Sequence, residues 1–344
     1  MAYQKLYQDT PRRKMAYYRM GEGNAKKLIL IHGNASSGAF YLPLMLRLCD
    51  QFDIIAPDLN GYGKTDPSPI KAETGLLDWA EDIDALADSL GFDRFSILGW
   101  SLGGGVVMRY AIEHSDKLEN LLFISPMSPY GFGGTYDVDG KMHKKNGLGC
   151  AGGFANPEFL ASLIHKDKGD GDNTARGVMR KSYFKAGFTL DKAWEDLFVD
   201  EMLEMQIGPD YYPGDYKKAL QFPFVLPGKR GVNNALAPQY ANVSAIADLP
   251  HKPRILWFRG DSDVLVADGS FGDLCTLGKM GVIPKYPGED KMPPQPMVSQ
   301  TRHVFEQYKD NGGEYKEFVI ENAGHSCHLE QEDTFVKLLL ENMA

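Results

Sequence analysis

Arg94-Phe95-Ser96-Ile97-Leu98-Gly99-Trp100-Ser101-Leu102-Gly103-Gly104 is the stretch that decides how this chain reads. Its first half has the apolar and β-branched character of a buried strand, and Gly104 to His114 beyond it reads as helix. Between them stands a serine with a glycine two residues to either side. A strand that turns straight into a helix crowds the residues around its apex, and glycine removes the side chains that would clash. Such a turn holds the Ser101 hydroxyl out at the edge of a sheet.

Three more strand ends fall in a telling order. Lys27-Leu28-Ile29-Leu30-Ile31 runs into His32-Gly33-Asn34-Ala35-Ser36-Ser37-Gly38, a turn suited to offering a backbone N–H to a developing oxyanion. Ile255 to Arg259 leads into Gly260-Asp261-Ser262-Asp263, and Tyr315 to Ile320 leads into Asn322-Ala323-Gly324-His325. A serine hydroxyl is a weak nucleophile at neutral pH and needs a positioned base, itself oriented by an acid. Ser101 therefore reads as nucleophile and His325 as base, with the acid supplied by Asp261 or Asp263. With 37 glycines in 344 residues the serine motif alone arises easily by chance. Its place in this series makes chance a poor account.

With these signals in this order, the sequence resembles the α/β-hydrolase superfamily over its whole length apart from a divergent middle segment. The resemblance implies a mostly parallel central sheet with helices on both faces and an inserted, largely helical lid. It also implies that Asp263 is the triad acid, by the family's G-x-x-D pattern, leaving Asp261 to cap the turn. The implied oxyanion hole is the backbone N–H of Asn34 and of Leu102. The motifs around His32–Gly38 and Gly99–Gly104 are further similar to those of metal-free N-acyl homoserine lactonases and related small esterases. Asp58-Leu59-Asn60-Gly61-Tyr62-Gly63-Lys64-Thr65 resembles the family's D-x-x-G-x-G-x-S turn, with Thr65 keeping the hydroxyl where serine is usual.

Strand and helix signals alternate through the first third: Phe40–Leu48 as helix, Phe52–Ala56 as strand, Thr74–Leu90 as helix, Leu118–Ile124 as strand. On Thr74–Leu90, Asp78, Glu81, Asp82, Asp84 and Asp88 read as a solvated face. The texture changes between about Met127 and Asp248, so the expected division is a core of residues 1–126 and 249–344 with a lid of residues 127–248. Within the lid, Tyr130–Gly153 is glycine-rich and reads as loop, while Leu190–Met205 has helical spacing. The lid helix's aromatics and methionines read mainly as packing. Asp268–Met297, rich in Gly and Pro, reads as a long surface loop beside the site or at a contact. Val298–Tyr308 and Leu329–Leu340 are the last two covering helices.

The remaining features bound function. A formal charge of −9 disfavours nucleic acid and anionic membranes as partners. Met1–Arg19 lacks a signal-peptide apolar stretch, no segment offers about 18 uninterrupted apolar residues, and the expected location is cytoplasmic. Cys49, Cys150, Cys275 and Cys327 are far apart and read as reduced thiols. His325-Ser326-Cys327-His328 pairs two histidines without partner carboxylates, so no metal is expected, and His328 and Cys327 read as wall or packing residues. No P-loop or dinucleotide fingerprint appears, so no cofactor is expected. Trp100 and His32 are candidate substrate-pocket residues, Trp100 with packing as its other reading, and the Asn34 amide reads as a brace of its turn. The reading is a cofactor-free serine hydrolase of a carboxylic ester or lactone. Carbon–carbon bond hydrolysis or acyl transfer would use the same triad, and a small-molecule receptor is the reading of another class. A serine at position 101 disfavours haloalkane dehalogenase or epoxide hydrolase chemistry, which in this fold uses aspartate there. The sequence leaves the oligomeric state open.

Overall fold

The computed structural model describes residues 3–343. Eight strands form one sheet: β1 (Leu6–Asp9), β2 (Lys14–Met20), β3 (Lys26–Ile31), β4 (Phe52–Pro57), β5 (Phe95–Trp100), β6 (Leu118–Ile124), β7 (Arg254–Gly260) and β8 (Tyr315–Ile320). Their spatial order is β1-β2-β4-β3-β5-β6-β7-β8. Every pair from β4 to β8 is parallel, while β2 runs antiparallel to both β1 and β4. All six residues of β4 and of β5 are buried, as a parallel sheet covered on both faces requires. The chain has the α/β-hydrolase fold. β1 and β2 are additions to the sequence expectation, because Met15-Ala16-Tyr17-Tyr18 is a short apolar run set among basic residues.

Helices α1 (Leu42–Leu48), α2 (Gly75–Ser89) and α3 (Leu102–His114) connect the first strands. One expectation for α2 is corrected. Asp82 is fully buried rather than solvated, with the Arg12 and Arg13 guanidinium groups at 2.7 and 2.8 Å. Asp84 likewise accepts hydrogen bonds from Tyr110 and Lys117, both at 2.7 Å. Helical periodicity placed both acids on the polar face, but that face is covered by the N-terminal segment and by α3.

Between β6 and β7 lie α4 (Pro157–Ile164), α5 (Ala175–Ser182) and α6 (Lys192–Met202), together with three short two-stranded ladders. One ladder, Thr135–Tyr136 with Lys141–Met142, falls in the stretch expected to be loop. The side chain of Asp191 caps α6 by accepting from the Ala193 N–H. The helix packs on the core through Phe198, whose ring stacks on Phe40 at 4.2 Å between centroids. A buried ionic cluster fastens the same helix. Glu201 accepts from Ser37 at 2.7 Å and pairs with Lys5 at 2.5 Å, and Lys5 also reaches Asp58 at 2.8 Å.

Asp268–Met297 is not wholly loop. It contains α7 (Leu274–Lys279), started by the Asp273 side chain, which accepts from the N–H groups of Cys275 and Thr276. The surrounding prolines and glycines concealed this six-residue helix. The last covering helices are α8 (Met297–Asp310) and α9 (Glu332–Asn342). No helix among the described residues is long and apolar enough to cross a membrane.

Removing one member of a buried charge cluster strands the others. Glu201→Ala is expected to lower stability by about 2 kcal/mol, read as a lower denaturation midpoint, and Glu201→Gln by less because it keeps hydrogen-bonding capacity.

Candidate active site

The strand order reverses at β3, which lies between β4 and β5, and the crevice at the carboxyl ends of β3 and β5 is where such folds bind ligands. Ile31 pairs with Gly99, so the two strands deliver their turns side by side. Ser101 has φ 57° and ψ −118°, a strained conformation for a residue with a Cβ. Its N–H donates to the Ile124 carbonyl at 3.0 Å, and its own carbonyl accepts from Gly104 and Met127. A Cβ on Gly103 would lie 2.1 Å from the Ile31 carbonyl oxygen, and one on Gly99 would lie 2.3 Å from the Gly103 carbonyl oxygen. The two glycines are thus required by close backbone approach.

The turn after β3 runs alongside the serine. A Cβ on Gly33 would come within 3.1 Å of the Ser101 Cβ. Leu102 opens α3, in the first turn where N–H groups lack intrahelical acceptors. Asn34 and Leu102 both line the cavity that holds Ser101. The Asn34 side chain is a brace: its Oδ1 accepts from Ala35 N–H at 2.9 Å and Tyr62 hydroxyl at 2.7 Å, and its Nδ2 donates to Asn233 Oδ1 at 2.9 Å. His32, expected as a pocket candidate, does not line the cavity. It is fully buried, accepts from Leu59 N–H at 3.0 Å through Nε2, and donates through Nδ1 to the Gly33 carbonyl at 2.8 Å. Burial pulls its pKa down to about 4, so it stays neutral at neutral pH. The motif that suggested substrate contact instead uses the imidazole to hold two turns together.

β7 and β8 supply the other partners. His325 Nδ1 and Asp263 Oδ2 are 2.9 Å apart, with side-chain exposures of 2% and 4%. The other Asp263 oxygen accepts from Leu265 and Val266 N–H at 2.8 and 3.1 Å, which fixes the carboxylate. With Nδ1 donating to Asp263, Nε2 carries the free lone pair. Ser101 and His325 line one cavity, with no hydrogen bond from the Ser101 hydroxyl to the ring. Asp261 lies in the same turn as Asp263 and is exposed, accepting from Asn322 N–H at 3.1 Å and the Ser262 hydroxyl at 2.8 Å. Trp100 does both things considered for it: it lines the cavity and donates from Nε1 to the His325 carbonyl at 2.9 Å.

Two residues outside the sequence expectation tie the site together. The Tyr183 hydroxyl reaches the Asn34 and Ala35 carbonyls at 2.8 and 3.0 Å, and the Tyr183 carbonyl accepts from Ser326 N–H at 3.0 Å. The Glu330 carboxylate accepts from Lys185 N–H at 2.6 Å and Gly324 N–H at 2.7 Å. Residues 183–185 of the intervening segment therefore bridge the turn after β3 and the loop bearing His325. Neither residue belongs to a motif, and no local signal could have found them.

The cavity has a volume of about 790 Å³ and an apolar wall that includes Met127, Phe132, Phe159, Tyr212, Leu236 and Leu265. None of Trp194, Leu197, Phe198, Met202 and Met205 lines it. His328 is packed behind Trp100, with ring centroids 5.5 Å apart, and neither ring nitrogen has a hydrogen-bond partner. Burial lowers its pKa to about 3. The four cysteines are free, and burial pushes the Cys150 thiol up to about 12. Among the described residues no cluster of three or more His, Cys, Asp and Glu side chains is placed to hold a metal ion.

Residues 26–144 match the family model described as alpha/beta hydrolase fold. The chain is 32% identical over 158 residues to a soluble epoxide hydrolase of Corynebacterium sp., covering 45% of this chain and 52% of that one. It is 32% identical over 109 residues to a pimeloyl-[acyl-carrier protein] methyl ester esterase of Aliivibrio salmonicida, covering 31% and 39% respectively. An uncharacterized protein of Mycobacterium tuberculosis is 31% identical over 103 residues, 30% of each chain. The match thus spans about a third to a half of these relatives. Among solved structures, an esterase from Exiguobacterium antarcticum superposes with a TM-score of 0.58 at 14% identity, over 99% of both chains. A putative lipase from Acinetobacter baumannii gives 0.61 at 16% identity, over 98% of this chain and 90% of that one. The family-model match over residues 26–144 and the superpositions agree on the α/β-hydrolase fold.

The buried neutral histidines set an acid limit. His32 and His328 have folded pKa values below the ordinary 6.5, so unfolding takes up protons between about 6.5 and those lower values. Stability is expected to be intact above pH 6.5 and to fall as pH drops toward 4. His328→Leu, which replaces unpartnered nitrogens by carbon, is expected to hold stability at pH 7 and flatten the acid loss, as checked by denaturation midpoints from pH 4 to 8.

Proposed function

We propose that this protein is a serine hydrolase of carboxylic esters or lactones that works through an acyl-enzyme on Ser101. The observation that carries the reading is the Asp263–His325 pair, its carboxylate fixed by two backbone N–H groups and its imidazole in the same apolar cavity as a serine on a strained turn. Strain of this kind persists at functional sites, where the surrounding structure over-determines it.

Rotation of the Ser101 hydroxyl toward His325 Nε2 starts the reaction. The proton passes to Nε2 as Oγ bonds to the substrate carbonyl carbon, and the carbonyl oxygen becomes an oxyanion held by the N–H groups of Asn34 and Leu102. Each such donor is worth about 3 kcal/mol in the transition state. Collapse breaks the bond to the alcohol oxygen, which takes the proton from His325 as it leaves. Water then gives its proton to His325 and attacks the acyl carbon, and the acid departs as the proton returns to Ser101. Asp263 holds the imidazole tautomer and stabilises the imidazolium. In a lactone, the alcohol and the acid belong to one molecule, so the same steps open the ring.

The curated relatives carry names for several chemistries of this fold, among them a soluble epoxide hydrolase and a methyl ester esterase. A serine at the elbow favours the esterase reading, because displacement at an epoxide carbon calls for a carboxylate nucleophile in this fold. Residues 127–248 form the lid in this reading, with Tyr183 as their contact to the oxyanion turn. Four free thiols suit a reducing cytoplasm.

The test is steady-state hydrolysis of p-nitrophenyl esters and acyl lactones. Ser101→Ala is expected to lower kcat by at least about 10⁴-fold, with mass spectrometry showing an acylated Ser101 only in the parent protein. Asp263→Asn is expected to lose about 10⁴-fold in kcat and Asp261→Asn less than about tenfold. Equal losses in the two aspartate variants would overturn the assignment of the acid. A folded protein that turns over no ester or lactone, yet binds small molecules stoichiometrically, would favour the receptor reading.

A further inference from the structure

One wall of the cavity is built by chain that serine-hydrolase chemistry does not call for. Leu274, Leu277, Val282 and Ile283, on α7 and the turn after it, line the space facing Ser101. Their backbone is anchored from beneath. Asp273, fully buried, accepts from Cys275 N–H at 3.4 Å, from the Thr276 N–H and hydroxyl at 3.1 Å, and from Gln295 N–H at 3.2 Å. The Gln295 side chain donates to the Gly131 carbonyl at 3.1 Å and to Gln300 Oε1 at 2.7 Å, and accepts from Gly133 N–H at 2.5 Å. Gln300 in turn accepts from Ser128 at 2.6 Å. These amides are buried and satisfied, and such a network specifies one arrangement of the segments it joins. The network also ends next to the nucleophile, since Met127 N–H donates to the Ser101 carbonyl. The wall is therefore held at a set distance from Ser101.

The charge lining the cavity is equally definite. Among the described residues that line it, Glu158 is the one carboxylate, His325 the one imidazole, and no lysine or arginine is present. Phe154 and Val282 line the cavity yet are 37% and 64% exposed, so the cavity opens to solvent beside them. Leu274, Leu277 and Ile283 thus give the cavity an apolar surface on which one arm of a substrate bound at Ser101 would rest.

We propose that residues 272–283 form a fixed hydrophobic subsite that selects esters carrying an uncharged apolar arm, an alkyl chain or ring system of about eight carbons or more, and rejects arms that end in an anion. The inference rests on the ester-hydrolase reading for its kinetic form. Its physical content is independent of turnover. A cavity of this volume suits a ligand of that size. Each buried methylene raises affinity for the arm up to about fourfold. A carboxylate in the cavity finds no lysine or arginine among the described lining residues, and Glu158 adds a like charge there.

The experiment measures kcat/KM for p-nitrophenyl acetate, butyrate, octanoate and dodecanoate, and for the mono-p-nitrophenyl ester of octanedioic acid. Expected are a rise of at least 50-fold from acetate to octanoate and a loss of at least 50-fold when the chain ends in carboxylate. Leu277→Trp shifts the optimum to shorter chains. Ile283→Lys, next to the exposed Val282, lowers octanoate turnover and raises that of the carboxylated ester. Competition between 1-decanol and decanoate for the cavity, read from tryptophan fluorescence, tests the subsite without any reaction, and decanol is expected to win. A flat chain-length profile, or a carboxylated ester as good as its neutral parent, overturns the subsite while leaving ester hydrolysis standing. Absence of all ester turnover with decanol still preferred overturns the hydrolase reading and keeps the subsite.

Discussion

The Ile31 carbonyl and the turn at Ser101 approach so closely that a single methyl group at residue 103 would lie 2.1 Å from that oxygen. Most of the site follows from this contact. Because β3 and β5 pair in register up to Ile31 and Gly99, the turn after β3 lies against the Ser101 turn, and Asn34 and Leu102 line one cavity. In the proposed reaction their N–H groups, fixed in the backbone, need no reorganisation when charge develops. The remaining chemistry arrives from β7 and β8, whose parallel pairing carries Asp263 and His325 to the same edge.

The segment between β6 and β7 does more than cover this edge. Tyr183 spans from the turn after β3 to the His325 loop, and Glu330 clamps that loop to Lys185. On the opposite side, Glu201 binds α6 to Lys5 and Ser37. Ser37 lies in the turn after β3, so the ionic cluster and the Tyr183 hydroxyl grip that turn from two directions. Loosening of either grip reaches Asn34 through one short peptide segment.

The core was legible because its signals are local. Strands at Phe52–Ala56, Leu118–Ile124 and Tyr315–Ile320 follow from short apolar runs, and Ser101, Asp263 and His325 each stand just after such a run. What escaped the sequence was set by contacts between distant residues. His32 sits in a motif that suggests substrate contact, yet its nitrogens bond Leu59 and Gly33. Asp82 has the helical position of a solvent-facing acid, yet Arg12 and Arg13, some seventy residues earlier, bury it. α7 is hidden because glycine and proline crowd both its ends, and only the buried Asp273 starts it. Tyr183 and Glu330 belong to no spacing rule, since their partners are carbonyls and N–H groups, which sequence does not distinguish.

The anchorage of the 272–283 wall uses Asp273, Gln295 and Gln300, none of which touches Asp263 or His325. The wall and the imidazole are thus held by different hydrogen bonds, and the wall's network meets the Ser101 turn through Ser128 and Met127. The lining side chains of the wall can be exchanged as a cassette, by selection or by design, while the hydrogen bonds that hold the cassette and those that hold the imidazole stay as they are. On the proposed reading, a scaffold built in this way can change the arm it accepts while the Asp263–His325 pair stays in place.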